Sequence, residues 1–187
     1  KGPYMLAGIC FGAHVAFEMA QQLKAQGEVI EFLGIIDAGA PSNGPGWSIR
    51  LYFFQRMQWH LGRFRATFRN REWTTFCKHY LNAFKRMLQP EAPDHSKTAL
   101  VKKCHYRAQM NYQARPYSGS LVLLQSEEYA DLAFMAKRWQ KVTLGNFERI
   151  VFKGSTHHSL LRTQDYLQQL ASALMQAINH AIKAKSQ

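Results

Sequence analysis

Short apolar runs alternate along this chain with stretches in which apolar residues recur every three or four positions. The run before residue 10 and the runs 29–36, 120–125 and 147–152 have the length and composition of strands buried on both faces. Amphipathic helix patterns separate several of these runs. Because strands that alternate with helices favour a parallel sheet, the pattern predicts an α/β fold.

Two helices are strongly periodic. The first follows residue 10 and ends at Gly27, with its apolar stripe predicted at Val15, Ala16, Met19, Ala20 and Leu23. A short helix is expected over 132–140. The last helix is expected over 164–184, with an inward set of Tyr166, Leu167, Leu170, Leu174, Ile178 and Ile182.

The middle of the chain, 47–115, predicts two or three further helices. Pro90 and Pro93 separate the second of these helices from the third. Apolar residues recur at helical spacing in three groups: Leu51, Phe54, Met57, Leu61, Phe64 and Phe68; Trp73, Phe76, Cys77, Tyr80, Leu81, Phe84 and Leu88; and Leu100, Val101, Cys104, Ala108 and Tyr112.

Gly8-Ile9-Cys10-Phe11-Gly12 lies between the first strand and the first helix. Gly-x-Ser-x-Gly in this position is typical of a nucleophile elbow, and here cysteine takes the place of serine. We expect Gly8 and Gly12 to let the strand and the helix pass closely without Cβ clashes. The helix N-terminus and a neighbouring histidine would favour the Cys10 thiolate. A buried structural cysteine is the alternative, and the sequence leaves open whether Cys10 is natural or was introduced.

The segment 2–20, Gly-Pro-Tyr-Met-Leu-Ala-Gly-Ile-Cys-Phe-Gly-Ala-His-Val-Ala-Phe-Glu-Met-Ala, resembles the elbow of the carrier-protein thioesterase domains of nonribosomal peptide and polyketide synthases. The resemblance implies one α/β-hydrolase domain over 1–187, with the elbow βαβ unit at 1–46, a helical lid at 47–115 and the rest of the core at 116–187. Such folds have several strands before the elbow, so we expect the chain to be the C-terminal portion of a larger domain.

The general base is expected after the last strand, because the order in this fold is nucleophile, acid, histidine. Residues 154–161, Gly-Ser-Thr-His-His-Ser-Leu-Leu, resemble the family's Gly-x-His-x-x-(Met/Leu)-Leu with one extra residue. Alignment from the Leu-Leu side makes His157 the predicted base, and the extra residue leaves His158 as the alternative.

Two aspartates are candidates for the acid that orients the base. Asp37 ends the second strand, 27 residues after Cys10, as in synthase-terminal thioesterases. Asp131 follows the next strand, where stand-alone editing thioesterases resemble it more closely, and it is the runner-up. The backbone N–H of Phe11 is the predicted oxyanion donor, and a second donor normally comes from a loop upstream of the elbow.

The net charge of +12 is concentrated between Arg50 and Arg115, where 14 Lys and Arg stand against three acids. Solvated helix faces, nucleic-acid binding and docking of an acidic partner are the three interpretations. We expect no nucleic acid, because the aromatics lie at helical core spacing and no nucleic-acid motif occurs. The resemblance favours an acidic acyl or peptidyl carrier protein at the basic lid, with the substrate on its phosphopantetheine arm.

No metal or bound cofactor is implied by any motif. Three widely spaced cysteines without Cys-x-x-Cys, and the lack of a membrane-length apolar run, favour a reducing cytoplasm over an exported or membrane location. An exposed sheet edge would favour self-association, but the sequence leaves the oligomeric state open.

The functional hypothesis is a thioesterase that releases an acyl or peptidyl chain from a carrier protein through a Cys10-bound acyl-enzyme. Hydrolysis and cyclisation or transfer stay open. Two alternatives remain: an ester or lactone hydrolase acting on free small molecules, and a degenerate domain that retains only carrier docking.

Overall fold

A computed structural model describes residues 2–41, 96–131 and 133–185, together with Met57 and Leu81. The chain divides into two compact units, one of Lys1–Asn43 with Tyr112–Gln187 and the other of Gly44–Asn111. Met57 and Leu81 are helical, and the remaining residues of the first two predicted lid helices lie outside the described residues. The lid over 47–115 therefore stays a prediction.

The first unit carries a sheet and the helices around it, and the second unit contributes one fully described helix. The strands are β1 (Tyr4–Ile9), β2 (Ile30–Ile36), β3 (Leu121–Ser126) and β4 (Phe147–Phe152). The helices are α1 (Phe11–Ala25), α2 (Lys97–Asn111, in the second unit), α3 (Glu127–Ala130), α4 (Ala133–Val142), α5 (His157–Leu160) and α6 (Gln164–Lys185).

The four strands form one parallel sheet in the order β1-β2-β3-β4. This confirms the predicted α/β class, and the bounds of β4 are those predicted from the sequence. Ile9 of β1 pairs with Ile36 of β2, and Ser126 of β3 pairs with Phe152 of β4. Because all strands run in one direction, the residues that follow them collect at one edge of the sheet.

Two apolar clusters cover the two faces of the sheet, as expected for a parallel sheet. Neighbouring residues of one strand face opposite sides: Ile35 belongs to the first cluster and Ile36 to the second. The first cluster is formed by Ala13, Ala16, Phe17, Ala20, Leu33, Ile35, Ala38, Tyr117, Leu121, Leu123, Ala136, Trp139 and Val142. The second consists of Ile36, Leu124, Phe152, Leu160 and Leu170.

The buried face of α1 differs from the predicted stripe. Val15 and Met19 are 45% and 46% exposed, whereas Ala13, Phe17 and Ala20 are fully buried. Small side chains on this face let the helix approach the sheet closely, and Phe17 packs edge-on against Tyr117 and Trp139. The prediction was wrong at Val15 and Met19 because the face of α1 that packs against Tyr117 and Trp139 is the one that carries Ala13 and Phe17.

The end of α1 is as predicted. Gly27 has φ 79°, its N–H donates to the Lys24 carbonyl, and the N–H of Glu28 donates to the Leu23 carbonyl. These two bonds form a Schellman motif, which requires a left-handed residue where glycine has no Cβ penalty.

Two other helices also expose residues that were predicted to face inward. In α6, Leu170 is buried, but Leu167 is 42% and Ile182 38% exposed, while Ala177 is buried. In α2, Leu100 and Val101 are 61% and 50% exposed, and Cys104 and Ala108 are exposed as well. The predicted stripes were therefore too wide in α6 and were not buried in α2.

Candidate active site

Cys10 alone connects β1 to α1, so the turn between them is very sharp. Its backbone has φ 52° and ψ −120°, a conformation that non-glycine residues rarely adopt, and its N–H donates to the Ile36 carbonyl across 3.2 Å. This is the elbow predicted from the sequence. The turn places the side chain of Cys10 at the N-terminus of α1.

The two elbow glycines have different roles. A Cβ at Gly8 would lie 2.6 Å from the Ala13 nitrogen and closer still to the carbonyl of Gly12. A Cβ at Gly12 would meet no atom within 4 Å outside its own helix. The close approach predicted for both glycines therefore holds for Gly8 and was wrong for Gly12.

Three side chains predicted to act together lie in one hydrogen-bonded row. The Sγ of Cys10 is 3.3 Å from Nε2 of His157, and Nδ1 of His157 is 2.7 Å from Oδ2 of Asp37. A carboxylate can only accept, so Nδ1 carries the proton and Nε2 is left as the acceptor that faces the thiol. The side chain of Asp37 is fully buried, and that of His157 is one third exposed.

Hydrogen bonds fix both the carboxylate of Asp37 and the loop that follows it. Its φ is 46°, and its carboxylate accepts hydrogen bonds from the N–H and the hydroxyl of Ser126 at 2.8–2.9 Å. The loop that follows is fastened by Trp139 and Arg138, whose side chains donate to the carbonyls of Ala38 and Pro41. The runner-up acid, Asp131, is exposed at the end of α3, and the carboxylate against His157 is that of Asp37.

His157 is the first residue of α5, a one-turn helix that the sequence did not predict. Thr156 caps this helix, and its hydroxyl accepts from the N–H of Ser159 while the Ser159 hydroxyl accepts from the N–H of Thr156. The alternative base, His158, is exposed. The capping box therefore fixes the point at which the chain presents His157, and not His158, to Asp37.

The model of the thioesterase domain family matches residues 1–178. The chain belongs to this family.

Among its relatives, nonribosomal peptide synthetase pngA of Aspergillus terreus is 36% identical over 63 residues, which are 34% of this thioesterase domain and 6% of that protein. The chain thus spans only a small part of the curated relatives it matches. The NocB thioesterase domain of the nocardicin cluster superposes with a TM-score of 0.57 at 18% identity, over 96% of this chain and 66% of that one. The surfactin thioesterase domain SrfTE superposes with a TM-score of 0.55 at 19% identity, over 94% of this chain and 66% of that one. Both likenesses show the α/β-hydrolase fold.

The electrostatics of this thioesterase domain differ from the sequence prediction at Cys10. Burial, and secondly the negative charge of Asp37, raise the pKa of the Cys10 thiol above its ordinary value. The thiol form is therefore favoured at neutral pH, contrary to the thiolate expected from the helix N-terminus. The facing Nε2 of His157, 3.3 Å from Sγ, is an acceptor that could take the proton of this thiol.

His14 lies one helical turn after Cys10 and is buried among aromatic rings. Its ring centre is 6.1 Å from that of Trp139 and 6.4 Å from that of Phe11. Burial lowers the pKa of His14, and nearby backbone groups of Gly39, Cys10 and Phe11 oppose this shift. His14 is thus a buried, neutral side chain that packs among aromatic rings close to Cys10 in the thioesterase domain.

Sequence reasoning missed the segment Ser126–Tyr129. Ser126 binds Asp37, the Glu128 carboxylate accepts the His157 N–H, and the Tyr129 ring stacks on the imidazole. The local signal was a serine N-cap followed by two acids, which predicts a helix start and nothing about its neighbours.

The described parts of the thioesterase domain contain neither a metal-binding cluster nor a membrane-spanning helix. Within residues 2–41, 96–131 and 133–185, no group of three or more His, Cys, Asp or Glu side chains is arranged to hold a metal ion. No helix in these ranges combines the length and the apolar character needed to cross a bilayer.

Removing the charge of Asp37 should change two properties of the site in opposite directions: alkylation of the Cys10 thiol should become easier and acyl transfer should become slower. In Asp37→Asn the carboxylate no longer disfavours the thiolate, so the pKa of Cys10 should fall. The midpoint of its alkylation by iodoacetamide should therefore shift to lower pH. Acyl transfer should nevertheless slow by about 10²- to 10⁴-fold, because the imidazole loses its charged partner. Peptide-level mass spectrometry across pH measures the first effect.

The exposed Cys104 is an internal control for this experiment, because its alkylation profile should be the same in both proteins. An unchanged or higher alkylation midpoint for Cys10 in the variant would contradict the assigned influence of Asp37.

Proposed function

We propose that this domain is a thioesterase that releases an acyl or peptidyl chain from the phosphopantetheine arm of a carrier protein through an acyl-enzyme on Cys10. The observation that carries the proposal is the row Cys10–His157–Asp37, with 3.3 Å and 2.7 Å between successive side chains. Membership of the thioesterase family and the synthetase relatives support the thioester substrate.

In the first half-reaction, His157 removes the Cys10 proton at Nε2 as the sulfur attacks the thioester carbonyl carbon. A carbon–sulfur bond forms, and the carbonyl oxygen takes up the electron pair. We assign the Phe11 N–H at the start of α1 as one donor to this oxyanion, in line with the positive end of the helix dipole. Collapse breaks the bond to pantetheine, and its sulfur takes the proton from His157.

The acyl-enzyme is itself a thioester, so loading from a thioester is close to thermoneutral and keeps the acyl group reactive. Water, an amine or an internal hydroxyl then attacks, with His157 taking its proton and returning it to Cys10. The cyclisation named for the surfactin domain is one such outcome. Asp37 orients the imidazole and stabilises its protonated form throughout.

A basic surface for an acidic carrier protein is the second part of the proposal. The helix α2 carries Lys97, Lys102, Lys103 and Arg107 and no acidic residue, and these four side chains are exposed. Such a helix attracts an acidic partner over a distance set by the ionic strength. Carrier-dependent acyl transfer should therefore weaken with added salt, whereas transfer from a free pantetheine thioester should not.

Intact-mass spectrometry after incubation with acyl-pantetheine thioesters tests the function directly. We expect a mass increase equal to one acyl group in the parent protein and none in Cys10→Ala. Loss of the adduct in buffer alone, compared with its loss after an amine is added, then shows whether water or the amine is the acceptor. Adduct formation unaffected by Cys10→Ala would overturn the assignment of the nucleophile.

The same assay distinguishes the other two activities. Turnover of soluble esters without a carrier, and no adduct from thioesters, would support an ester or lactone hydrolase. Carrier binding without covalent acylation would support a degenerate docking domain.

A further inference from the structure

The imidazole of His157 is held by a stacked aromatic ring in addition to the contacts of its two nitrogens. Cys10 and Asp37 hold its edges, but two contacts along one line leave the ring free to tilt about that line. The ring of Tyr129 lies parallel to it, with 9° between the planes and 5.0 Å between the centres. Offset stacking of this kind opposes the tilt that the two hydrogen bonds permit.

The backbone of His157 is held by the residue next to Tyr129. Oε2 of Glu128 accepts the His157 N–H at 2.9 Å, and Oε2 of Glu127 accepts the Gly154 N–H at 2.7 Å. In return, the N–H groups of Glu127 and Glu128 donate to the side chain and carbonyl of Ser155. Four hydrogen bonds thus join the start of α3 to the loop that carries His157.

The same short helix is tied to the acid. The hydroxyl of Ser126 caps α3 by accepting the Tyr129 N–H, and it also donates to the carboxylate of Asp37. A displacement of α3 would therefore disturb Asp37 and His157 together.

We propose that Glu128 and Tyr129 are positioning residues for His157, Glu128 by fixing the backbone at the start of α5 and Tyr129 by fixing the plane of the imidazole. The proposal rests on the proposed function only in giving His157 the proton transfer. The restraint itself concerns the contact between His157 and Asp37.

The charges of the groups around the His157 imidazole also favour stacking of the Tyr129 ring on it. Among the residues that the structure describes, Cys10, Asp37 and Tyr129 are titratable groups in contact with the ring, and Glu128 binds the N–H of the same residue. Burial, together with the charges of Asp37, Cys10 and Glu128, raises the pKa of Tyr129 to about 12, so its phenol stays neutral. The face of a neutral aromatic ring attracts a cation, which favours the imidazolium formed when Cys10 is deprotonated.

Variants at Tyr129 test the ring contact. Tyr129→Leu should lower the rate constant of acylation by about tenfold to a hundredfold with little change in KM, because the imidazole loses its orientation. Tyr129→Phe keeps the ring and should stay within about threefold of the parent. Tyr166→Leu, which removes a half-buried tyrosine of α6, is the matched control for lost packing.

Variants at Glu128 test the backbone contact. Glu128→Gln keeps an oxygen that can accept the His157 N–H and should retain most of the activity. Glu128→Ala removes the acceptor and should lower the acylation rate constant about tenfold. Unfolding in urea, measured for every variant, separates these effects from a general loss of stability.

A readout that needs no acyl transfer keeps the two proposals apart. A downfield N–H proton resonance is expected from His157 Nδ1 bonded to Asp37, and Asp37→Asn, which should abolish it, assigns it. The resonance should persist in Tyr129→Phe and broaden or vanish in Tyr129→Leu.

If the parent forms no adduct but shows this pattern, the positioning stands while the thioesterase mechanism fails. A sharp resonance and parent-like acylation in Tyr129→Leu would overturn the positioning proposal, as would a parent protein without the resonance.

Discussion

Replacing His157 with alanine should lower the rate of acyl transfer by about 10⁴-fold, the scale on which loss of one member of such a catalytic group acts. The thiol of Cys10 has a raised pKa, so at neutral pH it needs a base, and the facing Nε2 is removed in this variant. Single-turnover acylation by an acyl-pantetheine thioester, followed by intact mass, measures the rate constant. Part of the activity should return at high pH, where hydroxide deprotonates the thiol.

The neighbouring histidine is the matched control. His158 is exposed and should tolerate alanine with an acylation rate within about twofold of the parent, since surface changes away from the site act weakly. Equal losses in the two variants would indicate a role for the loop as a whole. A loss confined to His158→Ala would contradict the assignment of His157.

Replacing Gly8 with alanine should destabilise the fold by at least about 3 kcal/mol, because the added methyl group would overlap the backbone at Gly12 and Ala13. Backbone atoms cannot rotate away as a flexible side chain can, so β1 and α1 would have to separate. That movement would also open the first apolar cluster around Ala13 and Phe17. Urea unfolding followed by circular dichroism gives the change in the free energy of unfolding.

Gly12 provides the comparison within the same motif. A Cβ there meets open space, and alanine favours a helix over glycine, so Gly12→Ala should leave stability unchanged or raise it by up to about 1 kcal/mol. Similar losses in both variants would contradict the close contact between Gly8 of β1 and the backbone of α1 at Gly12 and Ala13.

The predictions that held depend on neighbouring residues. The elbow was recognisable because Gly8 and Cys10 stand between a buried strand and a helix, and the elements on both sides are decided by local periodicity. The bounds of β4 and the glycine that ends α1 followed in the same way, from a continuous apolar run and from a residue suited to positive φ.

The predictions that failed depend on the tertiary contacts of a helix or a side chain, which come from residues distant in the sequence. Val15 and Met19 of α1 are exposed because packing against Tyr117 and Trp139 favours Ala13 and Phe17. These two partners lie 100 and 122 residues after Phe17 in the sequence. The direction of the Cys10 pKa was wrong for a related reason. Its burial and its distance from Asp37 are properties of the folded site.

Between Asp37 and Asp131, and between His157 and His158, spacing along the chain left real alternatives. Parallel pairing of β2, β3 and β4 brings the ends of three strands together, and at that edge the carboxylate of Asp37 meets His157.

The residues around that pair lay beyond any local pattern. Ser126 reaches Asp37 across 89 positions, and Glu128 reaches the backbone of His157 across 29. A strand, a turn or a helix end is settled by contacts between near neighbours, which the order of residues encodes directly. The partners of a catalytic side chain are settled by sheet register and packing, because these bring distant segments within hydrogen-bond distance.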